Sequence, residues 1–165
     1  MADRLRDERL QPSLLDRLTD EAPDRETEAP SNRIIDLVRL REIIQRDLSW
    51  LLNTANIESE HDLEHYPNTA RSVLNYGIAD LTGSSRTQSR TVEIRQSIRR
   101  AIQTFEPRIL PNTLEVTMER SKGGSGALVS FDIHGELWAE PLPVDFHLRT
   151  ALDVTTGLVV LNRQG

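Results

Sequence analysis

Across 165 residues the chain carries 20 Lys and Arg against 26 Asp and Glu, a formal charge of -6, and no cysteine. That length supports one core burying roughly two thirds of the unfolded surface. The acidic balance removes the general attraction used in nonspecific nucleic-acid binding, and the absence of thiols excludes disulfides, thiolate metal clusters and cysteine nucleophiles.

The opening MADRLRDERLQPSLL is charged throughout, lacks the apolar run of a secretory signal, and precedes no stretch long enough to span a bilayer. A cytoplasmic protein without direct membrane insertion is expected. Residues 1–32 read as a flexible N-terminal segment with a short docking helix, and residues 33–165 as a single α+β domain. Leu10, Leu14, Leu15 and Leu18 form a small apolar island, with Pro12 suited to a first helical turn. A two-turn helix is too short to hold alone, so it should fold on its own domain or on a partner. The polar stretch DEAPDRETEAPSN that follows lacks the apolar side chains that offset ordering entropy, and reads as a linker.

From Ile34 to Asn53 the period is helical. Ile34, Leu37, Val38, Leu40, Ile44, Leu48, Leu51 and Leu52 share a broad stripe, opposite Arg39, Glu42, Gln45, Arg46 and Ser49. Ser31 or Asn32 is a cap for this helix, and Ile43 and Trp50, seven residues apart, project from the side of the stripe and suggest a second contact. A loop and short helix follow, with Asn68 as cap, Val73 and Leu74 as the apolar side, and Gly77 as terminator; Tyr76 is expected to cover the core. A second long helix is predicted over Thr91 to Phe105, with Ile94, Ile98, Ala101, Ile102 and Phe105 on one face. It stops at Glu106-Pro107, because proline lacks an amide hydrogen and restricts the residue before it.

After Pro111 the period becomes two. Leu114, Val116 and Met118 alternate with polar residues, SKGGSG supplies a turn, and Val129, Phe131, Ile133, Gly135 and Leu137 form a second strand. Val144, Phe146 and Leu148 make a third, and LDVTTGLVVL a fourth element with a turn at Thr156-Gly157. Helices first and alternating strands last predict an α+β fold, with helices packed on one face of a small antiparallel sheet.

Chemistry is sparse. His61-Asp62-Leu63-Glu64-His65 fits the HxxEH pattern, which on a helix sets two histidines one turn apart; no third ligand is identifiable, and a solvated acidic edge is the better reading. Gly123, Gly124 and Gly126 lack the order of a phosphate loop, and Ser125 has no GxSxG elbow. No catalytic residue, metal or cofactor is assigned, and an enzyme is not expected.

Four pieces stand out in order: Pro12-Ser13-Leu14-Leu15-Asp16-Arg17-Leu18, Leu48 to Thr54, Ser72-Val73-Leu74-Asn75-Tyr76-Gly77, and Ile102 to Phe105 running into Glu106-Pro107-Arg108-Ile109-Leu110. Together they closely resemble the TssE family, the small baseplate-wedge subunits of bacterial type VI secretion systems, over about Leu10 to Val160 apart from the acidic linker. The wider family includes a wedge protein of contractile phage baseplates and carries an old lysozyme-like label. Where the family often continues Asn-Thr-Arg after the first long helix, this chain has Ala55, so a contact of that arginine is not carried over. The resemblance implies a structural subunit that joins TssF-like and TssG-like wedge proteins, helps initiate the contractile sheath around the hub, and sits in a cytoplasmic baseplate near the inner membrane. A phage tail or related injection machine is the alternative setting; a peptidoglycan hydrolase follows only from the old label.

The interface candidates are Leu14, Leu15, Leu18, Trp50, Glu106, Pro107 and Arg108. Each has an internal alternative: the leucines as an intramolecular dock, Trp50 as a half-buried flank, and Arg108 as a cap or salt bridge fixing its turn. The resemblance places the Glu-Pro-Arg motif at a wedge contact, where Arg108→Lys is expected to weaken assembly more than stability.

Overall fold

The computed structural model describes residues 13–19, 23–24, 37–80, 88–119, 128–138, 143–153 and 156–162. Leu10, most of the acidic linker, the Ser31/Asn32 cap, Ile34 and the SKGGSG turn lie outside the described residues.

Two long helices carry the apolar periodicity. Helix α2, Leu37–Leu52, buries Leu40, Ile43, Ile44, Leu48, Leu51 and Leu52. The buried face is therefore rotated from the expected stripe: Ile43 belongs to the core, whereas Leu37 and Val38, in the first turn, are exposed. Helix α4, Gln88–Phe105, buries Ile94, Ile98, Ala101 and Ile102, and Phe105 packs partly buried against the same core. It begins three residues before the expected Thr91. A five-residue helix α1, Leu14–Leu18, precedes them, and α3, Pro67–Ala70, lies between.

The sheet is a meander, β1 Glu115–Glu119, β2 Leu128–Leu137, β3 Val144–Asp153 and β4 Val159–Asn162, in spatial order β1-β2-β3-β4 with every neighbour antiparallel. Val116, Phe131, Ile133, Phe146, Leu148, Leu152 and Val159 are buried with the helix core, while His134, Asp145, His147 and Val160 on the opposite face are exposed. This is the layering that period-two alternation requires when one sheet face is covered by helices and the other is wet. The α2 and α4 helices pack on each other, α4 on β1 and α2 on β4. The turn into β4 has Gly157 at φ 73, with its N–H on the Asp153 carbonyl at 2.7 Å.

The segment between α2 and α4 is pinned rather than loose. Ile78 forms a parallel bridge with Ala55, donating to the Thr54 carbonyl at 2.9 Å and accepting from Asn56 N–H at 2.9 Å. Gly77 makes this close pass possible: at φ 122, a Cβ would stand 2.2 Å from the Thr54 carbonyl oxygen. The short helix is split into α3, with Pro67 in its first turn, and a 3-10 turn Val73–Asn75 capped by Ser72. Val73 and Leu74 face solvent instead of supplying an apolar side, and Asn75 is the residue that goes in. Tyr76 covers the core as expected, edge-on to Phe105 with ring centroids 5.3 Å apart.

Candidate functional site

The Glu106-Pro107-Arg108 turn is fixed from both layers. Helix α4 ends at Phe105, Glu106 N–H still donates to Ile102 at 2.9 Å, and the chain then joins the end of β2. There Trp138 N–H donates to the Arg108 carbonyl at 2.8 Å and Leu110 N–H to the Glu136 carbonyl at 2.8 Å, around an Ile109–Leu137 bridge. Gly135 lets Ile109 lie close over the sheet, since a Cβ there would be 3.2 Å from its Cγ2.

From this turn a line of alternating charges crosses three elements. The Glu106 side chain is only 4% exposed. It accepts from Arg108 Nε at 2.6 Å and from Arg108 Nη2, so the guanidinium holds it with two donors. Nη2 also reaches Asp47 Oδ2 at 2.6 Å on α2. Asp47 Oδ1 accepts from Arg46 Nε at 2.9 Å and Nη2 at 2.7 Å, and Arg46 Nη1 continues to Asp16 Oδ1 at 2.6 Å on α1. Ser13 caps α1 and donates to the other oxygen of Asp16. The Arg46 guanidinium lies 4.9 Å from the centroid of the Trp50 ring, a cation–π arrangement.

Burial opposes the charge on Arg108, but hydrogen bonding and attraction from Glu106, then Asp47, outweigh it and raise its pKa above that of a free guanidinium. Burial likewise opposes ionisation of Asp16, and the hydrogen bonds from Arg46 and Ser13 prevail, holding its carboxyl below the usual range. Burial, then Asp47 and Glu106, raise the Tyr76 phenol. Arg108 and Asp16 are thus charged at neutral pH and the Tyr76 phenol is neutral, which suits a structural junction.

The junction borders a cleft of about 240 Å³ whose walls include Leu15, Trp50, Leu51, Tyr76, Phe105 and Arg108. The fold therefore brings Leu15, Trp50, Glu106 and Arg108 to one place, although 91 residues separate the first from Glu106 in sequence. Trp50 is half exposed. Leu14 and Leu18 are 69% and 74% exposed, because α1 has no buried residue and is held through Asp16 instead. Pro107 is an exposed turn residue, and Arg108 keeps Nη1 without a hydrogen-bond partner among the described residues.

Arg46, Asp47 and Asp16 were not singled out by sequence. Arg46 lies on the polar side of the α2 stripe, and nothing in spacing shows that it meets Asp16, or that Asp47 beside it meets Arg108. By contrast, the His61 to His65 stretch is bend and turn, not helix, with Glu64 N–H on Asp62 Oδ1 at 2.9 Å, so its histidines are not stacked on a helical turn. Among the described residues, no group of three or more His, Asp or Glu side chains is arranged to hold a metal, and no helix is long and apolar enough to cross a membrane.

The model of the family described as Baseplate wedge protein gp25 matches residues 38–142, well over half of the chain. The chain belongs to this family. The gp25 wedge match spans α2 through the end of β2, and so includes Asp47, Trp50 and the Glu106-Pro107-Arg108 turn, while α1, β3 and β4 lie outside it. Membership gives the protein a structural role in a baseplate wedge. No curated protein and no solved structure gives a significant match.

Proposed function

We propose that this wedge protein serves a type VI secretion baseplate, joining TssF-like and TssG-like subunits and helping to initiate the contractile sheath. It performs no catalysis in this role. The observation that carries the proposal is the Glu106-Arg108-Asp47-Arg46 junction, which fixes the end of α4 against α2 and sets Arg108 in the wall of the Trp50 cleft. A guanidinium held on one edge by Glu106 and Asp47 is pre-oriented on the other, so a partner carboxylate or carbonyl meets donors whose freedom is already lost.

Residues 1–32 act as a docking arm on the 33–165 domain. Helix α1 offers Leu14 and Leu18 outward while Asp16 ties it to Arg46, an arrangement suited to extending the wedge contact beyond the cleft. Copurification of a tagged form from its native cells tests the setting. TssF-like and TssG-like proteins are the expected companions; recovery of phage tail proteins in their place would move the same subunit to a phage-type machine.

A further inference from the structure

The segment from Asn56 to Ile78 gives Tyr76 to the wall of the Arg108 cleft and carries a second surface at other residues. Of its three short helical pieces, the 3-10 turn Val73–Asn75 packs on both α3 and the 3-10 turn Ile57–Ser59. They expose Val73 at 81%, Leu74 at 68% and Tyr66 at 62%. Apolar side chains this open are common on mobile loops, but this one is tied down. Asn75, almost fully buried, accepts from Glu58 N–H at 3.0 Å and donates to the Ala70 carbonyl at 3.0 Å. Asp80 N–H donates to Ser59 Oγ at 3.0 Å, and Ala79 N–H to Ser97 Oγ of α4 at 3.2 Å. The ledge is therefore held rigid with its hydrophobes outward, and a partner meets it without a further ordering cost.

Charge restricts what that partner is. Glu58, Glu60, Asp62 and Glu64 lie on the same segment, against Arg71. Arg100 stands 3.9 Å from Glu58, whereas Glu60 and Glu64, both exposed, make no ion pair among the described residues. An acidic rim repels nucleic acid and anionic membranes, and also a second copy of the same rim.

We propose that the Tyr66, Val73 and Leu74 ledge docks an amphipathic, basic segment of another baseplate protein, its apolar side on the ledge and its Lys or Arg side chains over Glu60 and Glu64. This rests on the chain being an assembly subunit, not on which machine it serves. The direct probe is a synthetic 18-residue amphipathic helix of Leu and Lys, titrated into the full chain and followed by amide NMR shifts, with a Leu and Glu helix of the same pattern as control. The Leu–Lys helix is expected to shift resonances over residues 56–78 and to bind at least about tenfold more weakly to Leu74→Glu or Val73→Ser. A Glu60→Lys, Glu64→Lys double variant should weaken it further as salt is lowered, reversing the normal salt trend. These exposed positions should leave the melting temperature unchanged. Equal binding of both helices, shifts centred on α1 instead, no binding at all, or self-association abolished by Leu74→Glu would each overturn the proposal. The copurification above uses the unmodified chain and no peptide, so failure of the ledge and failure of the wedge assignment are read separately.

Discussion

Replacing Arg108 by lysine keeps a positive charge beside Glu106 but removes the two-donor grip on its buried carboxylate. Deleting one member of a buried pair costs about 3–5 kcal/mol; with the charge retained, roughly 1–3 kcal/mol is expected. For a chain of this size each kcal/mol moves Tm by roughly 2–4 °C. The loss of assembly expected from sequence is thus joined by a stability cost: calorimetry of Arg108→Lys should show a clear loss of Tm, and an unchanged Tm would mean the pair adds little. At Asp16 the sign of the pH effect follows from the lowered pKa. The docked state holds the carboxylate more tightly than the undocked state, whose pKa is near the ordinary 3.8. The docking contribution is therefore complete above that value and is lost as pH falls through the lower pKa of the docked state. Trp50 fluorescence in a Trp138→Phe background should stay constant from neutral pH to about pH 5 and change only in the acid range. A transition near neutrality would place the control in another group.

Among the described residues, the end of α2 is hydrogen-bonded to β4 through a single side chain. Asn53, just past the end of α2, donates to the Val159 carbonyl at 2.9 Å and accepts from Val159 N–H at 2.9 Å, standing in for one residue of a neighbouring strand on the outer edge of β4. Asn53→Ala leaves both backbone groups unpaired at a partly covered edge, a loss of roughly 1–3 kcal/mol, and hydrogen exchange at Val159 and Leu161 should rise more than at Phe131 or Ile133. Uniform loss of protection would argue against a local edge role. The helix and strand frame was legible because α2, α4 and the four strands repeat apolar residues at periods that a buried face imposes. What sequence misjudged obeys other constraints. Val73 and Leu74 sit in a 3-10 turn, where helical-wheel spacing does not apply, and the buried position went to Asn75, whose amide can satisfy Glu58 N–H and the Ala70 carbonyl at once. The Glu106-Pro107 stop was visible in the chemistry of proline. Its ion pair with Asp47 through Arg108 spans 61 residues and has no periodic signature.

Among the described residues, one packed core carries a small helix fastened to its outside by charge. Helix α1 is five residues long and buries none of them, so it has neither the length to persist alone nor the apolar burial that holds α2 and α4. Its tie is the Asp16–Arg46 pair at 2.6 Å, made on the polar side of α2 with Arg46 also bound to Asp47. Arg46 is about a third exposed, and Asp16 leaves together with α1, so its removal strands no buried carboxylate: the loss is about 1 kcal/mol or less and weakens with salt, whereas the Glu106–Arg108 contact does not depend on α1 at all. Removing residues 1–30 should therefore leave the remaining domain folded, with Tm lowered by no more than roughly 4 °C. In the proposed wedge the same cut removes Leu14 and Leu18, both largely exposed among the described residues, and binding to the copurified TssF-like and TssG-like complex should fall by at least about tenfold. Paired calorimetry and affinity measurements on the truncated and full-length chains separate the two roles of α1. A large Tm loss with proportionate loss of binding would make α1 a strut of the core, and an unchanged affinity would remove the leucines from the wedge contact. Asp16→Asn provides the intermediate case: it releases the tie but keeps the leucines, so its affinity should lie between the two chains and approach that of the full-length protein at high salt, where the tie is screened in both.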